Sequence, residues 1–151
     1  MEKVKKIFSS LVIIIALILC LTGCSTSKSY TFDVETGDSI KVKLNTSKGH
    51  DISSVLPFTI SKNGEILSQG TFITLSGYNQ YVNTVNNDTN CKILDSGSKN
   101  GITYTFYSYN NFEYNYIIKV DGSNTGILLG NPNSKQEAQE CFELLTFSLE
   151  N

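Results

Sequence analysis

The sequence predicts an α+β domain: an antiparallel sheet covered by helices, with a C-terminal helix packed on the sheet. Three observations predict it. Short alternating apolar and polar segments recur between residues 30 and 130, divided by turn residues. One stretch in their midst, 76–87, changes to a helical period. A capped amphipathic segment then precedes a short final strand.

The elements follow in order. "YTFDVE" (30–35) and "SIKVKL" (39–44) alternate across Thr36-Gly37-Asp38 and read as a hairpin. "NTSKGHDISSVLP" (45–57) reads as a polar loop with at most one helical turn. "FTISKNGEILSQGTFITL" carries Asn63-Gly64 between apolar runs, the strongest short hairpin signal. In 76–87, Tyr78, Tyr81, Val82 and Val85 stand at i, i+3, i+4 and i+7, so a short helix starts after Ser76 or Gly77. Strands return at "CKIL" (91–94), "GITYTFYSY" (101–109), "EYNYIIKV" (113–120) and "GILLG" (126–130). Ser134 and Glu137 form a capping box, and Ala138, Cys141, Phe142 and Leu145 make one apolar helical face. "TFSLE" finishes as a short strand.

The chain has 151 residues, 12 Lys+Arg and 14 Asp+Glu, and every basic residue is a lysine. That removes bidentate arginine clamps. The near-neutral charge and the lack of a lysine cluster in the body of the chain argue against a nucleic-acid partner. No repeat and no low-complexity segment is present, and the length suits one domain.

The N-terminus is different in kind. Lys3, Lys5 and Lys6 precede an uninterrupted apolar run, "LVIIIALILCL", of 11 residues. That suits the apolar region of a signal peptide and falls short of the ~20 residues a membrane-spanning helix needs. The run ends at Leu21-Thr22-Gly23-Cys24, which resembles the lipobox of bacterial lipoproteins. The resemblance implies a diacylglyceryl thioether on Cys24 and cleavage of the Gly23–Cys24 bond. The mature protein is then a palmitate-bearing, membrane-anchored lipoprotein on the extracytoplasmic face, with membrane lipid as its first partner. The division expected is 1–23 signal peptide, 24–29 tether and 30–151 domain. The resemblance covers only the leader. For the domain, the element order is similar to the α/β/α sandwich of PsbP-type extrinsic proteins and related lipoproteins; a cystatin-like sheet is the alternative.

Cys91 and Cys141 remain after cleavage. A disulfide between them would close a loop of about 50 residues, worth ~4 kcal/mol. Two separate buried thiols are the other reading.

"YTFYSYNNFEYNY" (104–116) is the most distinctive stretch. A connection of two or four residues puts Tyr107 and Tyr109 on the face of Tyr114. One of three or five residues puts Tyr104 and Phe106 there, gathering the more apolar sets. An aromatic surface of Tyr107, Tyr109 and Tyr114, stacking on sugar rings or a peptide, is one reading. A central hairpin covered on both sides is the other, and it is favoured because cross-strand aromatic pairs are ordinary sheet stabilisers.

Catalytic motifs are scarce. His50 adjoins Asp51, but neighbours in a strand point oppositely and no nucleophile elbow accompanies them; an exposed loop histidine is expected. "DGSNTG" (121–126) has one carboxylate and reads as a turn rather than a calcium loop. Asp33, Glu35 and Asp38 could ring a cation, yet Asp33 and Glu35 fit the solvent face of the first strand better. Asn45-Thr46-Ser47 and Asn87-Asp88-Thr89 match a glycosylation sequon, a coincidence in a bacterial lipoprotein. No phosphate loop is present, and one histidine with two distant cysteines makes no metal site. Neither a cofactor nor a metal is expected. The expectation is a non-enzymatic binding domain with a protein or cell-wall partner. The alternatives are a wall- or glycan-acting enzyme using paired carboxylates, and a small-ligand carrier.

Overall fold

The computed structural model describes residues 26–150. The segment read as signal peptide, 1–23, and Cys24 lie outside the described residues. Among the described residues ten strands and two helices follow in order: β1 Ser27–Asp33, β2 Ser39–Asn45, β3 His50–Ile52, β4 Phe58–Lys62, β5 Glu65–Thr74, α1 Leu75–Asn87, β6 Cys91–Lys99, β7 Ile102–Tyr109, β8 Glu113–Val120, β9 Thr125–Asn131, α2 Lys135–Leu144 and β10 Leu145–Glu150. The first strand starts at Ser27, inside the segment read as tether.

The strands form two antiparallel sheets. One has three strands in the order β1-β2-β10; the other has seven, β3-β4-β5-β9-β8-β7-β6. The expected α+β class is observed, with more sheet than helix. The final strand joins the small sheet, which brings Leu145 opposite Leu44 and Phe147 opposite Val42.

Turn chemistry sets the register. Asn63 and Gly64 both have positive φ, 53° and 82°, as the tight two-residue hairpin requires. Asn100-Gly101 repeats the device with 49° and 78°. It carries β6 out to Lys99 rather than stopping at Leu94, because the polar run 95–99 pairs residue by residue with β7. The segment 50–52, expected to be loop, is a short edge strand paired with β4.

The two faces of the large sheet are covered differently. The inner face meets the small sheet and α2. Its core includes Ile40, Val42, Leu44, Phe58, Ile60, Phe106, Tyr116, Ile118, Ile127, Cys141 and Phe142. Tyr116 stacks between Phe106 and Phe142, with ring centroids at 4.3 and 4.0 Å. Phe32, Phe58 and Phe72 make a second cluster, with centroids 5.4–5.9 Å apart. Among the described residues the outer face carries only α1. That helix starts from Thr74, whose hydroxyl accepts from the Gly77 amide, so the cap lies two or three residues before the expected Ser76 or Gly77. Helix α2 starts as expected, with Ser134 Oγ accepting from the Glu137 amide at 3.2 Å.

Candidate functional site

The outer face of the large sheet has a filled half and an open half, and a pair of glycines on β9 marks the division. Gly126 lies under α1: a Cβ there would stand 2.9 Å from Tyr78 Cβ and 3.0 Å from Ile73 Cγ1. Without a side chain, the strand lets the helix approach closely. Gly130 lies four residues on, on the same face. A Cβ there would meet one neighbour, the Asn115 side-chain oxygen at 3.1 Å. No part of α1 lines the space above it.

That space is a cleft of about 450 Å³. Its floor is one register row across four strands: Gln69 on β5, Gly130 on β9, Asn115 on β8 and Tyr107 on β7. Thr71 and Leu128, paired in the next row, extend it. Pro57, Pro132 and Glu113 also line it. On the outer face the Gln69 and Asn115 amides, the Thr71 hydroxyl, the Tyr107 phenol and the Glu113 carboxylate therefore line a trough whose centre is bare backbone. Tyr107 is half-buried, and burial, with Cys91, Tyr81 and Glu113 nearby, pushes its phenol up to about 12. At neutral pH it is an uncharged donor and acceptor.

The aromatic surface of Tyr107, Tyr109 and Tyr114, the less favoured of the two readings, is not assembled. The β7–β8 connection has three residues, so Tyr109 pairs with Glu113, and Phe106 with Tyr116. Tyr114 falls on the inner face beside the core, where its ring lies 6.4 Å from that of Phe106. Tyr107 and Tyr109 are on the outer face. The register that gathers the apolar sets prevailed, and of the three tyrosines Tyr107 alone lines the cleft.

Nor is the disulfide formed: Cys91 and Cys141 are both free. Cys91 pairs with Tyr109 and shares its outer face on an edge strand; Cys141 is fully buried against the inner face. Burial pushes both thiols up. Their separation by the sheet could not be read from spacing, because each is correctly placed on its own element.

His50 is also corrected. It is 4% exposed, on β3 and not in a loop, and its Nδ1 is buried without a hydrogen-bond partner. Burial holds its pKa down; Lys62 and Lys48 act in the same direction and Glu140 opposes them. Asp51 points the other way, as expected, and accepts from Lys28 Nζ at 2.7 Å. His50 lines a cavity of about 150 Å³ with Lys62, Glu65, Glu137 and Glu140. That volume is below the range of ordinary ligand pockets. Glu140 is paired with Lys48 at 3.6 Å.

The acidic residues of the first hairpin have structural tasks. Asp38 accepts from Thr125 Oγ1 at 2.7 Å, the Asn124 amide at 2.8 Å and Thr36 Oγ1 at 3.1 Å. These bonds, that of Thr125 foremost, lower its pKa and tie the β1–β2 turn to the start of β9. Asp33 accepts from Ser39 Oγ. Among the described residues no group of three or more His, Cys, Asp or Glu could hold a metal ion. Residues 121–124 form the β8–β9 turn, with the Ser123 hydroxyl donating to the Val120 carbonyl.

No family model, curated protein or solved structure matches the chain.

Proposed function

We propose that the protein is a lipid-anchored, extracytoplasmic lipoprotein whose domain is a non-enzymatic binding module, with the outer-face cleft as its binding site. The cleft carries the binding reading. It has the volume of a ligand site, several convergent hydrogen-bonding groups, and Glu113 as its one lining carboxylate. Paired carboxylates for glycan hydrolysis would have to face each other across such a space. The lipobox, Leu21 to Cys24, supports the address. Ser27 begins β1 three residues after Cys24, a reach of at most ~10 Å, so the domain would sit against the bilayer. Among the described residues no helix is long and apolar enough to cross a membrane.

The finer fold belongs to this proposal. A helix on each face of one large antiparallel sheet supports the α/β/α arrangement of PsbP-type lipoproteins over a cystatin-like sheet. The three-stranded sheet, sharing the inner face with α2, is an addition to that arrangement.

Metabolic palmitate labelling tests the address. Wild type should be labelled and membrane-bound; Cys24→Ala should be unlabelled and either released or uncut. An unlabelled wild type sinks the lipoprotein reading. Site-specific photocrosslinking from position 69, at the mouth of the cleft, tests the binding reading in native membranes. A discrete adduct that disappears when the cleft is filled by Gly130→Val supports it. An adduct pattern that the filling leaves unchanged removes the cleft from the function.

A further inference from the structure

Three glycines on the central strands mark places where little room is left above the backbone or none is used, and two are already covered by side chains. A Cβ on Gly70 would fall within the Phe58 ring on the inner face. Gly126 is covered on the outer face by the Cβ of Tyr78 and the side chain of Ile73. Gly130 offers the same bare backbone and no ring covers it. Around it the chemistry changes from apolar to hydrogen-bonding: Gln69, Asn115 and Thr71, with the neutral phenol of Tyr107.

We infer that the cleft binds an uncharged saccharide, one ring of which lies on the Gly130 backbone between the Asn115 and Gln69 amides. The inference rests on the cleft being the binding site and adds the class of ligand. Four features select that class. Planar amides that donate and accept at once match the hydroxyls of a sugar, each of which does the same. Tyr107 and Leu128 supply the apolar contact that the C–H face of a pyranose needs. No lysine lines the cleft, and Glu113 does, so a phosphate or carboxylate ligand would meet like charge and no countercharge. The trough stays open above the sheet and its volume, about 450 Å³, admits a short oligosaccharide rather than a single small ion.

The test uses the full mature protein, purified in detergent, with saturation-transfer NMR. The probes are three neutral trisaccharides, built of hexose, N-acetylhexosamine and pentose units, and inorganic phosphate as the charged control. Saturable binding of at least one trisaccharide is expected, with transfer strongest at ring C–H protons. Gly130→Val should weaken it by about tenfold or more by filling the floor. Gln69→Ala, an exposed change that leaves the core untouched, should weaken it severalfold while thermal unfolding stays at the wild-type temperature.

Absence of saturable binding to all three sugars up to about 10 mM overturns the saccharide class, as does binding that Gly130→Val and Gln69→Ala leave unaltered, or binding of phosphate in preference to the sugars. The outcome for the broader reading is separate. If the position-69 crosslink in native membranes still depends on an open cleft while no sugar binds, the binding site stands and the ligand class falls. If neither responds, both fall.

Discussion

The two faces of the seven-stranded sheet solve the same problem differently. The inner face is closed by a second sheet and α2, and aromatic rings fill its spaces: Phe58 over Gly70, and Phe142, Tyr116 and Phe106 in one stack. The outer face is closed by one helix laid over Gly126, and it has few deeply buried apolar residues, Ile117 and Val85 among them. Beyond the helix lies the Gly130 trough. On the proposed reading the difference divides the tasks: the inner face supplies most of the stability, and the outer face leaves backbone and amides open for a ligand.

Removing a ring from the inner stack should have the largest effect. Phe142→Ala empties a site packed against Tyr116 at 4.0 Å and Tyr104 at 5.0 Å. A loss of about 4 kcal/mol is expected, measured by urea unfolding, and with it the stacked arrangement of Tyr116. A loss below about 1 kcal/mol would mean that the inner face is not the stabilising one.

Filling the covered glycines comes next. Gly70→Ala places a methyl where the Phe58 ring lies, and Phe58 is fully buried, so the ring must leave the Phe32 and Phe72 cluster. We expect a cost of about 3 kcal/mol. Gly126→Ala pushes Tyr78 and Ile73 away from β9 and should cost about 2 kcal/mol. The readout for the second is specific: protection of α1 amides against hydrogen exchange should fall before that of the central strands. Equal protection in both would break the view of α1 as a cover held by close approach at Gly126.

Much of this organisation was legible in the sequence. Both helices, the Asn63-Gly64 hairpin and the Ser134 cap follow from local signals, and local signals act where they are written. The β7–β8 register was narrowed to two choices by the apolar pattern, and the structure takes the one that pattern favoured. What was not legible depends on contacts between distant segments. Nothing near His50 marks 50–52 as a strand, because that strand exists only through pairing with β4. The Cys91–Cys141 relation needed the face of each element, and the sheet lies between them. Strand β6 was cut short because its polar residues hid the Asn100-Gly101 turn, the same signal used with success at 63–64. The cleft was missed for a similar reason. "GILLG" reads as a buried strand bounded by glycines, and only the position of α1 shows that one glycine is covered and the other is not.

The inner face also carries a titratable weakness at its β3 edge. The folded state holds the pKa of His50 below its ordinary 6.5, chiefly through burial, so the unfolded chain binds a proton that the native state refuses. Stability should therefore be full above about pH 7 and decline as the pH falls through 6.5, levelling once the native histidine also protonates. His50 is the single histidine of the chain, so His50→Leu should flatten urea stability between about pH 7 and 5.5. If the wild type is already flat over that interval, the histidine is not held neutral.

The smallest effect is the sharpest test of the contrast between faces. Gly130→Ala places its methyl above the cleft floor, where the near atom, 3.1 Å away, is the end of the Asn115 side chain and can turn aside. Alanine also loses less backbone freedom on folding than glycine, by about 0.5–1 kcal/mol in a strand. The two effects oppose, and urea unfolding should change by no more than about 0.5 kcal/mol in either direction. Gly126→Ala is the same substitution, on the same strand and face, four residues away, and the stability difference between the two variants measures what α1 covers. Equal costs would mean that the space above Gly130 is packed in solution and the cleft is closed. A neutral Gly130→Ala beside a costly Gly126→Ala means that β9 pairs with its neighbours equally well at both positions and differs only in what lies on top: a helix at one end, and an open cleft at the other.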